Sequence, residues 1–600
     1  MWPAADRLLF TSGRSLRLTM PLELPDPLPA NLGEYARVLY RRHFAHEFAL
    51  GTVKPLIIPQ SVLVTFGLPI LYFTIPHRNR PWLFRARYLL MLFIVLYNAR
   101  ESFVTTSPNF AMGYAVGLMQ AWGIIWNMTL LVFMKPQFDA ERVEKRRARP
   151  SANGHAARVN GSSNGDARAS GADDNVRPVQ NSSNGHVVTG VNGNSKAPPA
   201  QTQESLHAGH TIADHVPDED VARSLAEGYE YYWQSYPEQD PWLTRLDWSF
   251  DLVTSFRGTG WNWFIPVAPH FSKPERPQSG SPVDLASIPE STPHGYRRYT
   301  TRRAWLRAEV GSFAIGYLAL DALSVLMMKD PYFILGPEYT RSAVPVPVPL
   351  PGLLAALPPW LLFTYRCLVS FSGVLAAISM VMKLWQLICA FALRPLLGTR
   401  AELWHYPTLM GGFTHNVLDR GLAGYWGAWW HQTFRVAFGA PAAWMASPAG
   451  DGRRRQVSKT LAGLFAFAQS GFLHALGSAS CLPPSRPWAP PVFFMLSWVG
   501  ILLQSAACGA MRRAGITPRL PTWATRAGNF VFVSLWLGST QYWMLDDIAR
   551  SGIWLLEPVP ASLFRALGLG EPGDHWLRWT WDELPRLHAG QHWWDGGVAL

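Results

Sequence analysis

Charged residues are scarce in this chain. They make up 16% of its 600 residues, whereas an ordinary soluble domain has roughly a quarter. Many of these charges fall in one polar stretch, so the deficit elsewhere is larger. The scarcity argues against a soluble protein and favours an integral membrane protein.

Cysteine is also rare, and its four residues lie in or beside apolar runs without metal-binding spacing: Cys367, Cys389, Cys481 and Cys508. We therefore expect no disulfide framework and no metal site. The chain has no Gly-Lys dipeptide, which excludes a P-loop. His46-Glu47 lacks the second histidine of a zinc-protease helix, and no Gly-x-Ser-x-Gly elbow joins a strand to a helix.

Apolar runs are abundant, and about eight of them reach the roughly 20 residues that cross a bilayer. They lie near residues 55–75, 86–104, 109–134, 309–329, 361–393, 459–478, 491–510 and 528–546. The 28 tryptophans are typical of a protein that meets membrane–water interfaces. We predict an all-α, polytopic transmembrane bundle of about eight spans.

The net charge of +12 comes from lysines and arginines that cluster in loops between the apolar runs. This pattern indicates cytosolic loops near anionic headgroups or phosphates, and no nucleic-acid partner. We expect a multi-pass protein of the endoplasmic reticulum.

Composition divides the chain into five parts. One of these parts is a polar linker rich in Asn, Gly and Ser. It cannot bury enough apolar surface to offset the conformational entropy that it would lose on folding. After it, Trp242, Leu246, Phe250 and Val253 recur at helical spacing, which indicates an amphipathic helix. We expect an N-terminal segment (1–50), N-terminal transmembrane helices (51–136), a disordered cytosolic linker (137–228), an interfacial segment (229–308) and a transmembrane core (309–600).

His474 is the first candidate for chemistry. It lies about 15 residues into its apolar run, roughly 22 Å from the cytosolic end at 1.5 Å per residue. An ionisable residue at that depth is costly, so it is a functional-site candidate. A neutral imidazole can accept a proton from a hydroxyl, the general-base role. The alternative is an interhelical hydrogen bond to Gln469, Ser470 or a neighbouring carbonyl.

His431 is the second candidate, in the aromatic stretch Tyr425-Trp-Gly-Ala-Trp-Trp-His-Gln432. Arg435 follows one helical turn later, and such a pair on one face suits a phosphate or a developing oxyanion. The alternative is an aromatic interfacial belt with an incidental histidine. Asp321, inside another apolar run, is open to three interpretations: a proton relay, a partner for a histidine, or the start of a turn.

The two histidine segments together resemble the membrane-bound O-acyltransferase superfamily, in its wax-synthase-like branch. That branch has a phrase of the form F-W-G-R-R-W-H-Q, followed some forty residues later by an apolar helix with S-G-x-x-H, here Ser470-Gly-Phe-Leu-His474. Asn416-Val-Leu-Asp-Arg-Gly421, Arg257-Gly-Thr-Gly-Trp261 and Lys329-Asp-Pro-Tyr-Phe333 also fit, so the resemblance covers roughly 240–545. Ala428 and Trp429 replace the paired arginines of the phrase.

The resemblance implies transfer of an acyl group from a coenzyme A thioester to a hydroxyl. His474 would be the base, and His431 would orient the thioester or stabilise the oxyanion. The substrate- and CoA-binding candidates are Trp426, Trp430, Gln432, Arg435, Arg420, Asn416 and Asp419. We expect no bound cofactor, acetyl-CoA as co-substrate, and a terpenoid, meroterpenoid or polyketide alcohol as acceptor. A long-chain wax or sterol ester synthase and a proton-coupled transporter are the alternatives.

Overall fold

The computed structural model describes residues 24–148, 216–272, 274, 277–340, 350–445, 452–581, 584–590, 592 and 596–600. Of these, the residues up to Arg146 and from Val216 onward belong to one structural unit. Most of the expected linker, residues 149–215, lies outside the described residues.

Helices dominate the described residues. The longer ones are α1 (Leu32–Ala49), α2 (Gln60–Thr74), α3 (Pro81–Val104), α4 (Phe110–Phe133), α5 (Glu219–Ala226), α6 (Trp242–Thr254), α7 (Arg302–Met328), α8 (Pro359–Ala392), α9 (Arg435–Met445), α10 (Gly452–Ala479), α11 (Ala489–Arg513), α12 (Thr522–Thr540) and α13 (Tyr542–Arg550). Shorter α-helical turns span Pro136–Asp139, Pro331–Leu335, Gly352–Ala355, Arg394–Leu397, Asp419–Gly424 and Leu563–Ala566. Side-chain caps start several of these helices, such as Asn31 before α1 and Asn109 before α4.

Five helices of the described residues are long and apolar enough to cross a membrane: α3, α4, α7, α8 and α11. The mostly helical architecture is therefore confirmed, with five helices suited to crossing a membrane, but the expected count of eight spans is not. Helix α2 is apolar but too short. Helix α10 is long enough, but its glycines, serines, Gln469 and His474 lower its mean hydropathy below that of the five.

Strands are short and lie between or beside the helices. They are β1 (Lys54–Pro55), β2 (Ile57–Ile58), β3 (Thr105–Thr106), β4 (Arg142–Arg147), β5 (Tyr229–Gln234), β6 (Arg586–His588) and β7 (Gly597–Ala599). β1 pairs with β3 in parallel, β7 lies between β2 and β6 in an antiparallel sheet, and β4 pairs with β5. Because β4 and α5 fall inside the expected 137–228 linker, ordered structure extends into both of its ends.

The amphipathic helix expected after the polar stretch corresponds to α6. Its inner face buries Trp248, Leu252 and Val253 completely, whereas Trp242 and Phe250 are exposed. Of the predicted apolar stripe, Val253 packs against the protein and Leu246 is half-buried, whereas Trp242 and Phe250 remain available to a membrane surface.

Helix α10 lies at the centre of the helical packing and contacts α4, α9 and α11. Its crossing with α4 is very close. A Cβ on Gly117 of α4 would come within 1.8 Å of the Leu476 carbonyl oxygen, and one on Gly477 of α10 within 2.8 Å of the Tyr114 ring. The absence of side chains at these two glycines lets the helices approach and brings α4 against the segment that carries His474.

Candidate active site

His474 faces the interior of the helical packing. Its Nδ1 lies 3.2 Å from the hydroxyl oxygen of Tyr114 on α4. On the other side, its ring stacks on Phe494 of α11, with centroids 5.1 Å apart and planes at 16°. The side chain retains accessible surface although protein atoms surround it. His474 therefore lies among α4, α10 and α11 with part of its surface still accessible, as a base that meets a substrate must be.

His431 follows a wide helical turn, Tyr425–Trp429, and its ring lies 5.3 Å from that of Trp430 and 5.6 Å from that of Phe434. It too is partly accessible within dense surroundings. Burial, together with the nearby cation of Arg257, lowers the pKa of His431 to about 4. The imidazole is thus neutral at physiological pH, and it is close enough to His474 for the two rings to interact electrostatically.

Trp426 joins the turn that precedes His431 to the helices around His474. Its ring lies 5.7 Å from Phe467 of α10, and 6.0 and 5.8 Å from Phe493 and Phe494 of α11. Its indole Nε1 is buried and has no hydrogen-bond partner within the described part of the chain. A buried, unused donor between the turn that precedes His431 and the helices around His474 could serve a ligand oxygen.

Gln432 and Arg435 hold this turn in shape. The Gln432 amide nitrogen donates to the carbonyls of Trp426 (2.9 Å) and Trp430 (2.6 Å), and its oxygen accepts from Arg435 Nη1 at 2.9 Å. The same arginine nitrogen donates to the carbonyl of Gly427. The Gln432 amide is therefore engaged in ordering the loop, and it places the Arg435 guanidinium next to the turn.

Asn416 and Arg420 converge on a histidine that we did not single out from the sequence, His294. The Asn416 amide donates to the carbonyls of His294 and Gly412, both at 2.8 Å, and its oxygen lies 3.1 Å from His294 Nδ1. Arg420 Nη1 lies 3.2 Å from the same nitrogen. Burial lowers the pKa of His294, and the cations of Arg420 and Arg435 lower it further, which places Arg435 in the same neighbourhood.

Asp419 lies apart from this group. Its carboxylate is exposed and pairs with Arg526 of α12, with an oxygen 2.6 Å from Arg526 Nε. A carboxylate engaged in this way is not suited to hold a phosphate, so in this structure Asp419 ties a loop to α12.

Arg257 and Arg435 are cations without carboxylate partners in the described part of the chain. Arg257 donates only to carbonyls, those of Pro407 (3.4 Å) and Thr408 (3.2 Å). Neither arginine has an ion-pair partner among the residues that the structure describes, and burial lowers the pKa of both. Tyr296, whose hydroxyl donates to the Ala428 carbonyl at 2.9 Å, lies beside both. Because a buried, unpaired charge is costly, these two groups are suited to bind an anionic ligand.

Asp321 caps a helix. Its oxygens accept hydrogen bonds from the Ser562 hydroxyl and from the backbone N–H groups of Leu563 (2.7 Å) and Phe564 (3.3 Å). Arg565 lies 4.0 Å away. These contacts anchor the start of the helix Leu563–Ala566, so the interpretation of Asp321 as a structural residue is the one that the contacts favour.

Known proteins resemble this chain over part of its length. Residues 406–496, which include both histidines, match the sequence profile of the membrane bound O-acyl transferase family. The chain is 24% identical to Acetyltransferase ple2 of Rhodocybe pseudopiperita over 344 residues, 57% of this chain and 76% of the relative. It is 28% identical to Acetyltransferase pyr8 of Aspergillus fumigatus over 152 residues, 25% of this chain and 35% of the relative. No solved structure matches significantly.

The family match and the two acetyltransferase relatives support a membrane-bound O-acyltransferase enzyme. Such an enzyme implies an acyl-CoA co-substrate and an alcohol acceptor. The wax-synthase-like branch is not confirmed by these matches. Tyr114, Arg257 and His294 lie outside the matched segment, although the structure brings them to it.

Proposed function

We propose that this enzyme transfers an acetyl group from acetyl-CoA to a hydroxyl of a lipophilic secondary metabolite, a terpenoid, meroterpenoid or polyketide alcohol, in the endoplasmic reticulum membrane. The observation that carries the proposal is the convergence of two partly accessible imidazoles, from α10 and from the preceding aromatic turn, on the protein interior. The acetyl preference is supported by the names of the two relatives.

In the proposed reaction, His474 Nε2 accepts the proton of the acceptor hydroxyl as its oxygen attacks the thioester carbonyl. The neutral His431 ring and the unused indole N–H of Trp426 are donors for the oxygen that becomes negative in the tetrahedral intermediate. Collapse of the intermediate breaks the C–S bond, and the proton held by His474 passes to the leaving thiolate. The products are the acetyl ester and free coenzyme A.

The anionic end of acetyl-CoA is assigned to the cations around the aromatic turn. Arg435, Arg257 and Arg420 carry positive charge there, and the first two have no carboxylate partner among the described residues. Guanidinium groups bind phosphates through charge-assisted hydrogen bonds. The resembled phrase has paired arginines where this chain has Ala428 and Trp429, so any phosphate contact of those arginines would fall to these guanidinium groups.

The choice of acyl donor can be tested with membranes that contain the protein. They would receive geranylgeraniol, a hydroxylated labdane diterpene and ergosterol, with either acetyl-CoA or palmitoyl-CoA labelled in the acyl group. We expect labelled acetyl esters, and none from membranes that contain His474→Ala. Palmitoyl esters alone would instead establish a long-chain wax or sterol ester synthase. No labelled ester from either donor, with folded protein present, would contradict acyl transfer to these alcohol classes.

A further inference from the structure

Tyr114 of α4 makes the closest polar side-chain contact to His474 that the structure shows. Its hydroxyl oxygen lies 3.2 Å from His474 Nδ1 and 3.4 Å from the His474 backbone carbonyl oxygen. The ring itself is 4% exposed, so water does not compete for the hydroxyl. Two polar atoms of one histidine thus share a single buried hydroxyl.

The helix crossing fixes this hydroxyl in place. A Cβ at Gly477 would collide with the Tyr114 ring, so the ring lies directly against the α10 backbone. Below it, Ser480 ties the two helices together, because its hydroxyl donates to the Gly113 carbonyl at 2.7 Å and accepts from the Gly117 N–H at 2.9 Å. The Tyr114 ring therefore has little freedom to move away from His474.

Assigning the hydrogens selects one tautomer of His474. A carbonyl oxygen can only accept, so both contacts are hydrogen bonds only when the Tyr114 O–H donates to the His474 carbonyl. The hydroxyl oxygen is then left to accept, and the donor available to it is an N–H at His474 Nδ1. With the proton on Nδ1, the lone pair of a neutral imidazole lies on Nε2. The reverse assignment would leave the carbonyl contact without a hydrogen and put the proton on Nε2.

We propose that Tyr114 is a positioning residue that holds His474 in the Nδ1–H tautomer, so that Nε2 can accept the proton of the acceptor hydroxyl. The inference rests on the proposed role of His474 as base. A general base needs its free lone pair directed at the substrate, and the hydrogen bond at the other ring nitrogen decides which nitrogen carries it. Tyr114 supplies this bond from the N-terminal helices, outside residues 406–496 and outside the stretch 240–545 of the resemblance.

The kinetic test is Tyr114→Phe, which keeps the ring and removes the hydroxyl. With acetyl-CoA and whichever probe alcohol the parent acetylates, we expect kcat to fall on the order of 10-fold and the KM for acetyl-CoA to stay within about two-fold. The matched control is Tyr72→Phe, which also removes a buried hydroxyl that donates to a carbonyl, that of Leu83 at 3.0 Å. It should leave kcat unchanged at a comparable thermal unfolding midpoint.

A spectroscopic measurement tests the tautomer without any substrate. In protein labelled with [15N]histidine, the ring signals of His474 are identified by their loss in His474→Ala. We expect an unprotonated Nε2 in the parent and a protonated Nε2 in Tyr114→Phe. If Nε2 carries the proton in the parent, or if Tyr114→Phe keeps full kcat while His474→Ala is inactive, Tyr114 does not position the base. If His474→Ala is as active as the parent, the proposed function itself fails.

Discussion

At the scale of single residues, the site combines neutral imidazoles with uncompensated guanidinium groups. His431 and His474 lie in the interior, where a neutral ring is a usable acceptor or donor of a proton. Arg257 and Arg435 lie around the turn that leads to His431, and carbonyl oxygens satisfy them only in part. This division matches a substrate with a reactive thioester at one end and phosphates at the other.

The arginines provide a prediction at this scale. Arg257→Gln and Arg435→Gln should each raise the KM for acetyl-CoA on the order of 10-fold, the effect of losing about 1.4 kcal/mol of phosphate binding. kcat should change less than KM, because neither guanidinium is assigned to the reacting atoms, although Arg435 also orders the turn before His431. Steady-state kinetics with varied acetyl-CoA would measure both constants.

Arg526→Gln is the matched control, since Arg526 lies at the surface and already has a carboxylate partner in Asp419. It should leave the KM for acetyl-CoA unchanged. An equal rise in KM for the control variant, or none for Arg257→Gln and Arg435→Gln, would show that these two arginines do not bind the co-substrate.

The sequence could point to the histidines but not to their neighbours. His431 and His474 stand in local phrases with a recognisable spacing, and an ionisable residue in an apolar run attracts notice by its cost. Tyr114 is 360 residues away from His474 in the chain. Nothing in its local sequence marks it as functional, because tyrosines are common in apolar helices. The sequence predicts Gln432 as a substrate ligand. Only the folded turn shows that its amide nitrogen donates to backbone carbonyls.

At the scale of elements, the contact of α10 with α4 is the decisive one, because it joins the N-terminal helices to the segment that carries His474. Apolar runs predicted the positions of the helices well. They predicted the number of membrane-crossing helices less well. The small and polar residues of α10 that form the close crossing and the site lower the mean hydropathy of that helix. The ends of the linker were assigned by composition, which does not reveal that Arg142 of β4 pairs with Asp247 (2.8 Å) and Asp251 (3.1 Å) of α6.

The polar stretch supplies the prediction for elements. Replacing residues 149–215 with a short Gly-Ser connection should leave acetyl transfer within a few-fold of the parent, because β4 and α5 remain and no candidate site residue is removed. A deletion extended to 142–226 also removes β4, α5 and Arg142, and should reduce the amount of folded protein. Size-exclusion profiles in detergent and transfer assays would compare the two. Complete loss of activity in the shorter deletion would show that the polar stretch has a role in turnover.

At the scale of the whole molecule, amino-acid composition is sufficient to predict an integral membrane protein, and the match to a family of membrane-bound enzymes agrees with that prediction. The folded molecule also contains buried histidines outside its membrane-crossing helices. Burial lowers the pKa of His77 to about 4 and that of His405 to about 3, and His431 behaves in the same way. An unfolded chain would protonate all three near pH 6.5.

These histidines predict how stability depends on pH. Below pH 6.5 these histidines bind protons in the unfolded chain but stay neutral in the native protein. The free energy of unfolding therefore falls as the pH drops toward about 4. Each histidine contributes on the order of 2 kcal/mol between about pH 7.5 and pH 5. Asp218, whose pKa burial raises to about 6, acts in the opposite direction, as do Glu141 and Asp547, whose pKa values burial also raises. His294, whose pKa burial lowers, acts in the same direction as the three histidines.

We therefore expect a lower thermal unfolding midpoint at pH 5 than at pH 7.5 in detergent, and a smaller difference in a His77→Leu variant. A midpoint that is equal or higher at pH 5 would contradict the assignment of these three histidines as neutral in the native protein.

The central claim is that His474 is the base for acetyl transfer, and one measurement tests it most directly. Membranes with equal amounts of parent or His474→Ala protein, verified to have the same detergent-phase unfolding midpoint, receive labelled acetyl-CoA and an alcohol that the parent acetylates. If His474 is the base, we expect the rate of ester formation to fall by at least about 10²-fold in the variant. A rate within a few-fold of the parent would contradict it.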